Sequence, residues 1–272
     1  MRILDGRELA DYVKERQAKQ VRNLRQAWKT FPKLVIIIAN DDPVIDTYVR
    51  LKQVYGEDIL IDVDVRRVKQ SEVSELVKAL NTDDTIHGII IQLPLSNPDE
   101  TDQLVGLIAP HKDVDGLGTS ETYISATATA IDWLLAGYNV TMRDRLIAIV
   151  GKGRLVGAPL AQLWKKAGLS VVTFDETNEA DLQVELRKAD VIVSATGVPG
   201  LITSDMISPG KVVVDAGTAS ENGVIVGDVA EDVRERQDLT ITPIKGGVGP
   251  LTITALFDNV IQAAQASAQN KQ

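Results

Sequence analysis

Short apolar runs recur along the chain, each bounded by polar or glycine-containing stretches. Residues 34–39 (LVIIIA), 88–93 (GIIIQL), 146–150 (LIAIV), 170–174, 191–195 and 212–215 are too short for core helices. Their apolar positions are nearly continuous, as in strands buried on both faces. Residues 59–68 alternate like a strand, and 240–244 add another. Between these runs the apolar spacing changes to that of helices. Residues 7–27 carry Leu9, Val13, Val21 and Leu24 at helical intervals. A second helix starts at Asp42-Pro43, with the aspartate as N-cap and the proline at the first helical position. Further helices are predicted at 71–80, capped by Ser71, and at 101–108, 156–167, 180–188 and 251–268. The Ala/Thr-rich segment 121–136 reads as a connecting helix, and the tail 262–272 is expected to fray.

This β–α alternation predicts an α/β fold with parallel sheets covered on both faces. It occurs twice, which predicts two α/β domains with a cleft between them. The length, 272 residues, suits two domains. Aromatic residues are only 4 %, so the core must be aliphatic. A net charge of −9 argues against nonspecific binding to nucleic acid or anionic lipid, while leaving room for a local anion site. The absence of cysteine excludes disulfides, thiolate nucleophiles and cysteine-ligated zinc, and with only His87 and His111 no metal site is expected. The N-terminus lacks an apolar signal core, and no run approaches the roughly 18 apolar residues of a membrane helix. The expectation is a soluble cytoplasmic protein.

One strand, 146–150, runs directly into Gly151-Lys152-Gly153, with a third glycine at 157 and a helix beyond. Strand, glycine turn and helix N-terminus together form a cradle for a pyrophosphate. The glycine spacing is one residue wider than the usual G-x-G-x-x-G, and an ordinary βα turn is the competing reading. Asp175 and Glu176 end the next strand, where a carboxylate accepts hydrogen bonds from a ribose 2′-hydroxyl and repels a 2′-phosphate. That favours NAD over NADP. Lys152 points the other way, and a solvated loop acid is the plain reading of Asp175. Two more glycine turns, 194–200 (SATGVPG) and 215–218 (DAGT), end strands of the same half; each either faces a cofactor or simply turns the chain.

In the first half, Tyr48 and Lys52 lie four residues apart and share a helix face. A lysine withdrawn from water can move protons, but spacing alone equally describes an ordinary surface lysine beside a tyrosine. Gln92 ends the strand GIIIQ. Asp113 and Asp115 bracket a turn, as ligand-binding acids or as an Asx-type turn. Residues 245–250 (KGGVGP) precede a long helix, either admitting a ligand close to the backbone or acting as a hinge.

Together these stretches resemble the bifunctional methylenetetrahydrofolate dehydrogenase/cyclohydrolases. The resemblance rests on ILDG at 3–6, DDP…YVRLK at 41–52, GIIIQLPL at 88–95, KDVDG at 112–116, VGKGRLVGAP at 150–159, ADVIVSATGVPG at 189–200, GDV at 227–229 and GGVGPLT at 246–252. It implies a folate-binding catalytic domain, residues 1–137 with the C-terminal helix 251–272, and a Rossmann-like dinucleotide-binding domain, residues 138–250. Lys52 would be the catalytic lysine, Tyr48 would stack near the pterin, Gln92 would hydrogen-bond and tune Lys52, and Asp115 would bind the pterin's amino-pyrimidine edge. Gly249, Pro250, Leu251 and Thr252 would line the folate site. Gly151, Lys152, Gly153 and Thr218 would contact NAD or NADP. The resemblance further implies a homodimer formed through the cofactor domain.

The chain departs from the family pattern in several places. Ser125-Ala-Thr-Ala128 replaces Pro-Cys-Thr-Pro, and the segment before it is short and lacks a Phe-His-Pro loop. Lys152-Gly153 replaces Arg-Ser, Ile45 stands where the family has serine, and Lys245 replaces a proline. The expected function is oxidation of 5,10-methylenetetrahydrofolate followed by hydrolysis to 10-formyltetrahydrofolate. The alternatives are a monofunctional member of the family, a non-catalytic dinucleotide-binding protein, and another two-domain dehydrogenase acting on a small acid.

Overall fold

The protein is described by a computed structural model covering residues 1–118, 122–177, 182–221 and 224–270. Its elements in chain order are β1 (Arg2–Ile3), α1 (Gly6–Ala27), β2 (Lys33–Ile38), α2 (Pro43–Asp58), β3 (Asp62–Arg67), α3 (Val73–Asn81), β4 (Gly88–Ile91), α4 (Thr101–Val105) and α5 (Ala126–Gly137). They continue with β5 (Leu146–Val150), α6 (Gly157–Lys166), β6 (Ser170–Phe174), α7 (Leu182–Lys188), β7 (Val191–Ser194), β8 (Val212–Asp215), β9 (Ala219–Glu221), β10 (Val224–Val226), α8 (Glu231–Arg234), β11 (Thr240–Ile241) and α9 (Val248–Gln269). No helix among the described residues is long and apolar enough to cross a membrane.

The chain folds into two compact units, and neither is a single stretch of sequence. One comprises Met1–Ala10 with Thr127–Thr252, the other Asp11–Ala126 with Ile253–Gln272. The first is built on a six-stranded parallel sheet ordered β1-β11-β8-β7-β5-β6. Its side chains alternate between faces as a strand's period of two requires. Ile147, Ile149, Val191, Val193, Val212 and Val214 pack on one face with Leu134, Leu160 and Trp164. Ala148, Val150, Ile192, Val213 and Ile241 pack on the other with Leu182, Leu186 and Val233. Trp164 is buried, and its indole N–H donates to Asp132 at 2.9 Å. The second unit holds a three-stranded parallel sheet ordered β3-β2-β4. Val35, Ile37, Ile89 and Ile91 face Val73, Val77, Leu104 and Val105.

Local chemistry explains where the elements end. The Asp42 carboxylate accepts the Val44 N–H at 2.9 Å, and Pro43 opens α2. Ser71 is not the cap of α3. It lies in a 3-10 turn, Gln70–Glu72, and the Glu72 carboxylate turns back to accept the Lys69 N–H at 3.0 Å. The helix predicted over 101–108 stops at Val105, where the chain loosens into a turn in which Leu107 and Ile108 bond three residues back. The strand predicted over 240–244 stops at Ile241, two residues before Pro243, which has no N–H to give a ladder. The connecting helix starts at Ala126, and α7 starts at Leu182; Glu121, Ala180 and Asp181, where those predictions began, lie outside the described residues. The expected fraying does not reach far into the tail. Helix α9 runs to Gln269 and buries Ala263, Ala264 and Ala268, since alanine combines high helix propensity with close packing.

Candidate functional site

In the Asp11–Ala126 unit, Lys52 projects from the middle of α2, and Gln92 follows β4 directly. The Gln92 N–H donates to Ile37 at 2.9 Å, which extends the sheet by one residue and fixes where its side chain leaves the backbone. The Lys52 ammonium donates to Gln92 Oε1 at 2.6 Å, while Gln92 Nε2 donates to the carbonyl of Leu93 at 3.1 Å. Gln92 is therefore held at both ends of its amide and offers the lysine only its acceptor.

Burial and charge compete at Lys52. Desolvation pushes its pKa below the ordinary lysine value, and the negative charge of Asp115 opposes that. Asp115 mirrors it: burial raises its pKa, Lys52 lowers it, and Asp113 raises it further. Part of the lysine side chain remains accessible to water, so the withdrawal from solvent belongs to its charged end. The two acids of the 113–115 turn divide their work. Asp113 is buried, and its carboxylate accepts the N–H groups of Leu117 at 3.4 Å and Gly118 at 2.8 Å, closing the turn. Asp115 is the acid that acts on Lys52. Asn259 of α9 braces the segment, donating to the carbonyls of Val114 at 2.9 Å and Ile124 at 3.1 Å. Tyr48, one turn before Lys52, is half-buried, and burial raises its phenol pKa.

The second candidate cluster lies in the other unit, at the carboxyl ends of β5 and β6. Gly151 has φ +99°, and a Cβ there would stand 2.5 Å from the carbonyl oxygen of Ala195. Gly157 packs tighter still, since an added Cβ would meet the Gly151 oxygen at 1.8 Å. Those two glycines are demanded by geometry, whereas Gly153 is exposed and its Cβ position is open. The wide spacing is thus two packing glycines around an accessible one. Lys152 forms an ion pair with Asp175 at 2.7 Å. Asp175 also accepts the Thr177 N–H at 3.0 Å and its hydroxyl at 2.5 Å. The Lys152 hydrogen bond, followed by that of Thr177, lowers the Asp175 pKa to about 2. The sequence set Lys152 and Asp175 against each other as rival signals; the fold joins them as a pair. Glu176 and Thr218 are exposed.

The remaining residues, Gly249–Thr252, form the first turns of α9. Gly249 is exposed and Pro250 half-buried, while Leu251 is wholly buried in the apolar core and the Thr252 hydroxyl donates to the Val248 carbonyl at 3.3 Å. The loop before them is held by Arg7, whose guanidinium donates to the Lys245 carbonyl at 2.7 Å and lies against Gly246. Sequence reasoning did not single out Arg7, Asp228 or Arg234. The motif GDV at 227–229 was the one available signal for Asp228.

Comparison with known proteins matches both units. Residues 4–115 match the tetrahydrofolate dehydrogenase/cyclohydrolase catalytic domain, and residues 125–268 match the tetrahydrofolate dehydrogenase/cyclohydrolase NAD(P)-binding domain. The chain is 35 % identical over 276 residues to the bifunctional protein FolD of Exiguobacterium sibiricum, covering 97 % of this chain and 99 % of the relative. Among solved structures it superposes on the bifunctional enzyme FolD, methylenetetrahydrofolate dehydrogenase/cyclohydrolase, of Campylobacter jejuni with a TM-score of 0.90, at 33 % identity and full coverage of both chains. It also superposes on the Trypanosoma brucei methylenetetrahydrofolate dehydrogenase-cyclohydrolase complexed with NADP cofactor and inhibitor, with a TM-score of 0.90, at 29 % identity and 97 % coverage of each.

Proposed function

Because the chain belongs to the tetrahydrofolate dehydrogenase/cyclohydrolase family, we propose that it is a bifunctional one-carbon folate enzyme with Lys52 at its chemical centre. In the first reaction the methylene carbon bridging N5 and N10 of 5,10-methylenetetrahydrofolate gives a hydride to the nicotinamide ring of NAD(P). The products are the methenyl cation and the reduced cofactor, which carries the redox chemistry. In the second, water adds to the methenyl carbon and loses a proton. The carbon–N5 bond then breaks as N5 takes up a proton, leaving 10-formyltetrahydrofolate. The first of these proton movements needs a group that can accept one near neutral pH, and the second needs a donor.

The observation that carries this reading is the Lys52–Gln92 contact at 2.6 Å beside the desolvated Asp115. Burial makes the amine easier to deprotonate, Gln92 aims it, and Asp115 keeps part of its charge affordable. Asp115 has the further role of accepting hydrogen bonds from the amino-pyrimidine edge of the pterin, and Tyr48 that of stacking beside it. Gly249, Pro250, Leu251 and Thr252 are assigned to the folate site, with residues 1–137 and 251–272 as the folate-binding domain and 138–250 as the dinucleotide-binding domain. Gly151, Lys152, Gly153, Asp175, Glu176 and Thr218 are assigned to the cofactor.

The preferred cofactor in this reading is NAD. The Lys152 ammonium is already engaged by Asp175, and that carboxylate stays ionised far below neutral pH. A 2′-phosphate would have to compete with it, whereas a 2′-hydroxyl can donate to it. The working form is a homodimer in the cytoplasm, which light scattering of the purified protein checks by returning twice the chain mass. The decisive experiment mixes the protein with 5,10-methylenetetrahydrofolate and either NAD or NADP and follows methenyl absorbance and reduced nicotinamide. Absence of both signals with both cofactors rejects the reading.

A further inference from the structure

Two motifs named in the sequence have no role in that chemistry: Asp215-Ala-Gly217 at the end of β8, and Gly227-Asp228 after β10. The fold closes them on each other. A Cβ on Gly217 would stand 2.0 Å from Asp228 Oδ1, and a Cβ on Gly227 would stand 2.0 Å from Asp215 Oδ2. Each motif's carboxylate therefore rests on the other motif's glycine. The Asp228 N–H donates to Asp215 Oδ1 at 3.0 Å, and that oxygen also takes the Gly217 N–H at 3.1 Å. Asp215 Oδ2 takes Arg234 Nη2 at 2.5 Å and the Val229 N–H at 3.2 Å. Between the two motifs runs the antiparallel hairpin of β9 and β10, so this clasp closes the hairpin's base.

Asp228 reaches beyond the clasp. It is fully buried, and its Oδ2 accepts the Ser194 hydroxyl and the Thr196 N–H, both at 2.7 Å. Its Oδ1 is buried against Gly217 with no hydrogen-bond partner among the described residues. A buried carboxylate oxygen without a donor is costly, and simple packing would be served by an uncharged residue of the same shape. What the carboxylate adds is strong, charge-assisted acceptance at the other oxygen. That oxygen fixes the start of the 195–200 glycine loop at the carboxyl end of β7, while the clasp fixes the 216–218 loop at the carboxyl end of β8. In an open parallel sheet those are the ends where a dinucleotide lies.

We propose that Asp228 is a positioning residue for the nicotinamide cofactor: through Ser194, Thr196 and the clasp with Asp215 it sets the two glycine loops in the shape the dinucleotide binds. The inference rests on the dinucleotide-binding reading above but not on the identity of the folate reaction. Asp228→Asn keeps the shape and removes the charge. Calorimetric titration of this variant with NAD and with NADP should show affinity for the better cofactor weakened about tenfold, the scale of one charge-assisted hydrogen bond. The ratio of dehydrogenase to cyclohydrolase activity should fall by a similar factor, since hydrolysis of the methenyl compound uses no nicotinamide. Unchanged cofactor affinity overturns the proposal, as does an equal loss of both activities, which would mark a general role in folding. Should Asp228→Asn fail to fold, Ser194→Ala removes one donor from the same oxygen and should weaken cofactor binding about threefold; unchanged binding then overturns the proposal. If the wild-type protein binds a dinucleotide but turns over no folate, the reaction assigned above fails while this inference is still judged by the titrations. Binding of neither NAD nor NADP to the wild type removes both.

Discussion

Two of the protein's lysine–aspartate pairs, Lys52–Asp115 and Lys152–Asp175, are opposite electrical devices. Lys52 and Asp115 are withdrawn from water, so burial works against the charge of each and only their mutual attraction opposes it. Lys152 and Asp175 meet at 2.7 Å near the surface, and the hydrogen bonds to Asp175 drive its pKa down to about 2. The residue types are the same, but in one pair burial disfavours both charges, while in the other hydrogen bonds hold the carboxylate ionised. Solvent decides which. A desolvated pair suits proton transfer, while a solvated pair suits recognition of a ribose.

The comparison breaks first at Lys52. Replacing it by methionine keeps the bulk of the side chain and removes the titrating group. Cyclohydrolase activity should fall at least about a hundredfold, the lower range of a general acid–base contribution, with the far-UV spectrum unchanged. Hydrolysis of the methenyl compound at the wild-type rate would end the role given to this residue. Next comes Asp115→Asn, which deletes the charge that favours the lysine's protonated form. The ionisation governing cyclohydrolase turnover at saturating substrate should move to lower pH, because the carboxylate that favours the protonated amine is gone. Movement to higher pH would contradict the pairing.

A third, smaller effect is expected at the exposed pair. Asp175→Ser should raise the use of NADP relative to NAD severalfold, on the scale of about 1 kcal/mol of differential binding; an unchanged ratio of kcat/KM values would remove the argument for NAD. The smallest effect concerns stability. The folded pKa of Asp175 is depressed, so its stabilising contribution is present above the unfolded value of about 3.9 and is lost as pH falls toward about 2. Any difference in melting temperature between wild type and Asp175→Ser should therefore shrink across that acidic range. It should also be small at neutral pH, because exposed ion pairs contribute little.

Much of the fold could be read along the chain because the strands are uniform apolar runs. Residues 146–150, 170–174 and 212–215 were delimited by sequence with the bounds the strands have. What escaped was either too short for a pattern or depended on distant pairing. The two-residue strand β1 carries no period of its own and exists because it pairs with β11. The first turn of α9 begins at Val248 inside a Gly-Gly-Val-Gly-Pro stretch that reads as loop, since nothing in it favours a helix. The same limit applies to the sites. Tyr48 and Lys52 share a helix face by spacing alone, but the Lys52–Gln92 contact depends on how α2 meets the end of β4. Asp175 becomes the partner of Lys152 only when β5 and β6 lie side by side. Asp228 was visible as one letter of a three-residue motif; its reach to Ser194 is a property of the folded sheet.

The pairing of β1 with β11 constrains how the chain is made. Arg2 and Ile3 precede every other strand of the large sheet along the chain, yet their hydrogen-bonded neighbours, Thr240 and Ile241, form the last of them. The edge of the large sheet cannot close until β11 has been made. Until then β1 has no strand to pair with, and contacts of such wide sequence separation slow folding. Deleting Arg2 and Ile3 would therefore damage a sheet whose other strands all lie between Leu146 and Ile241.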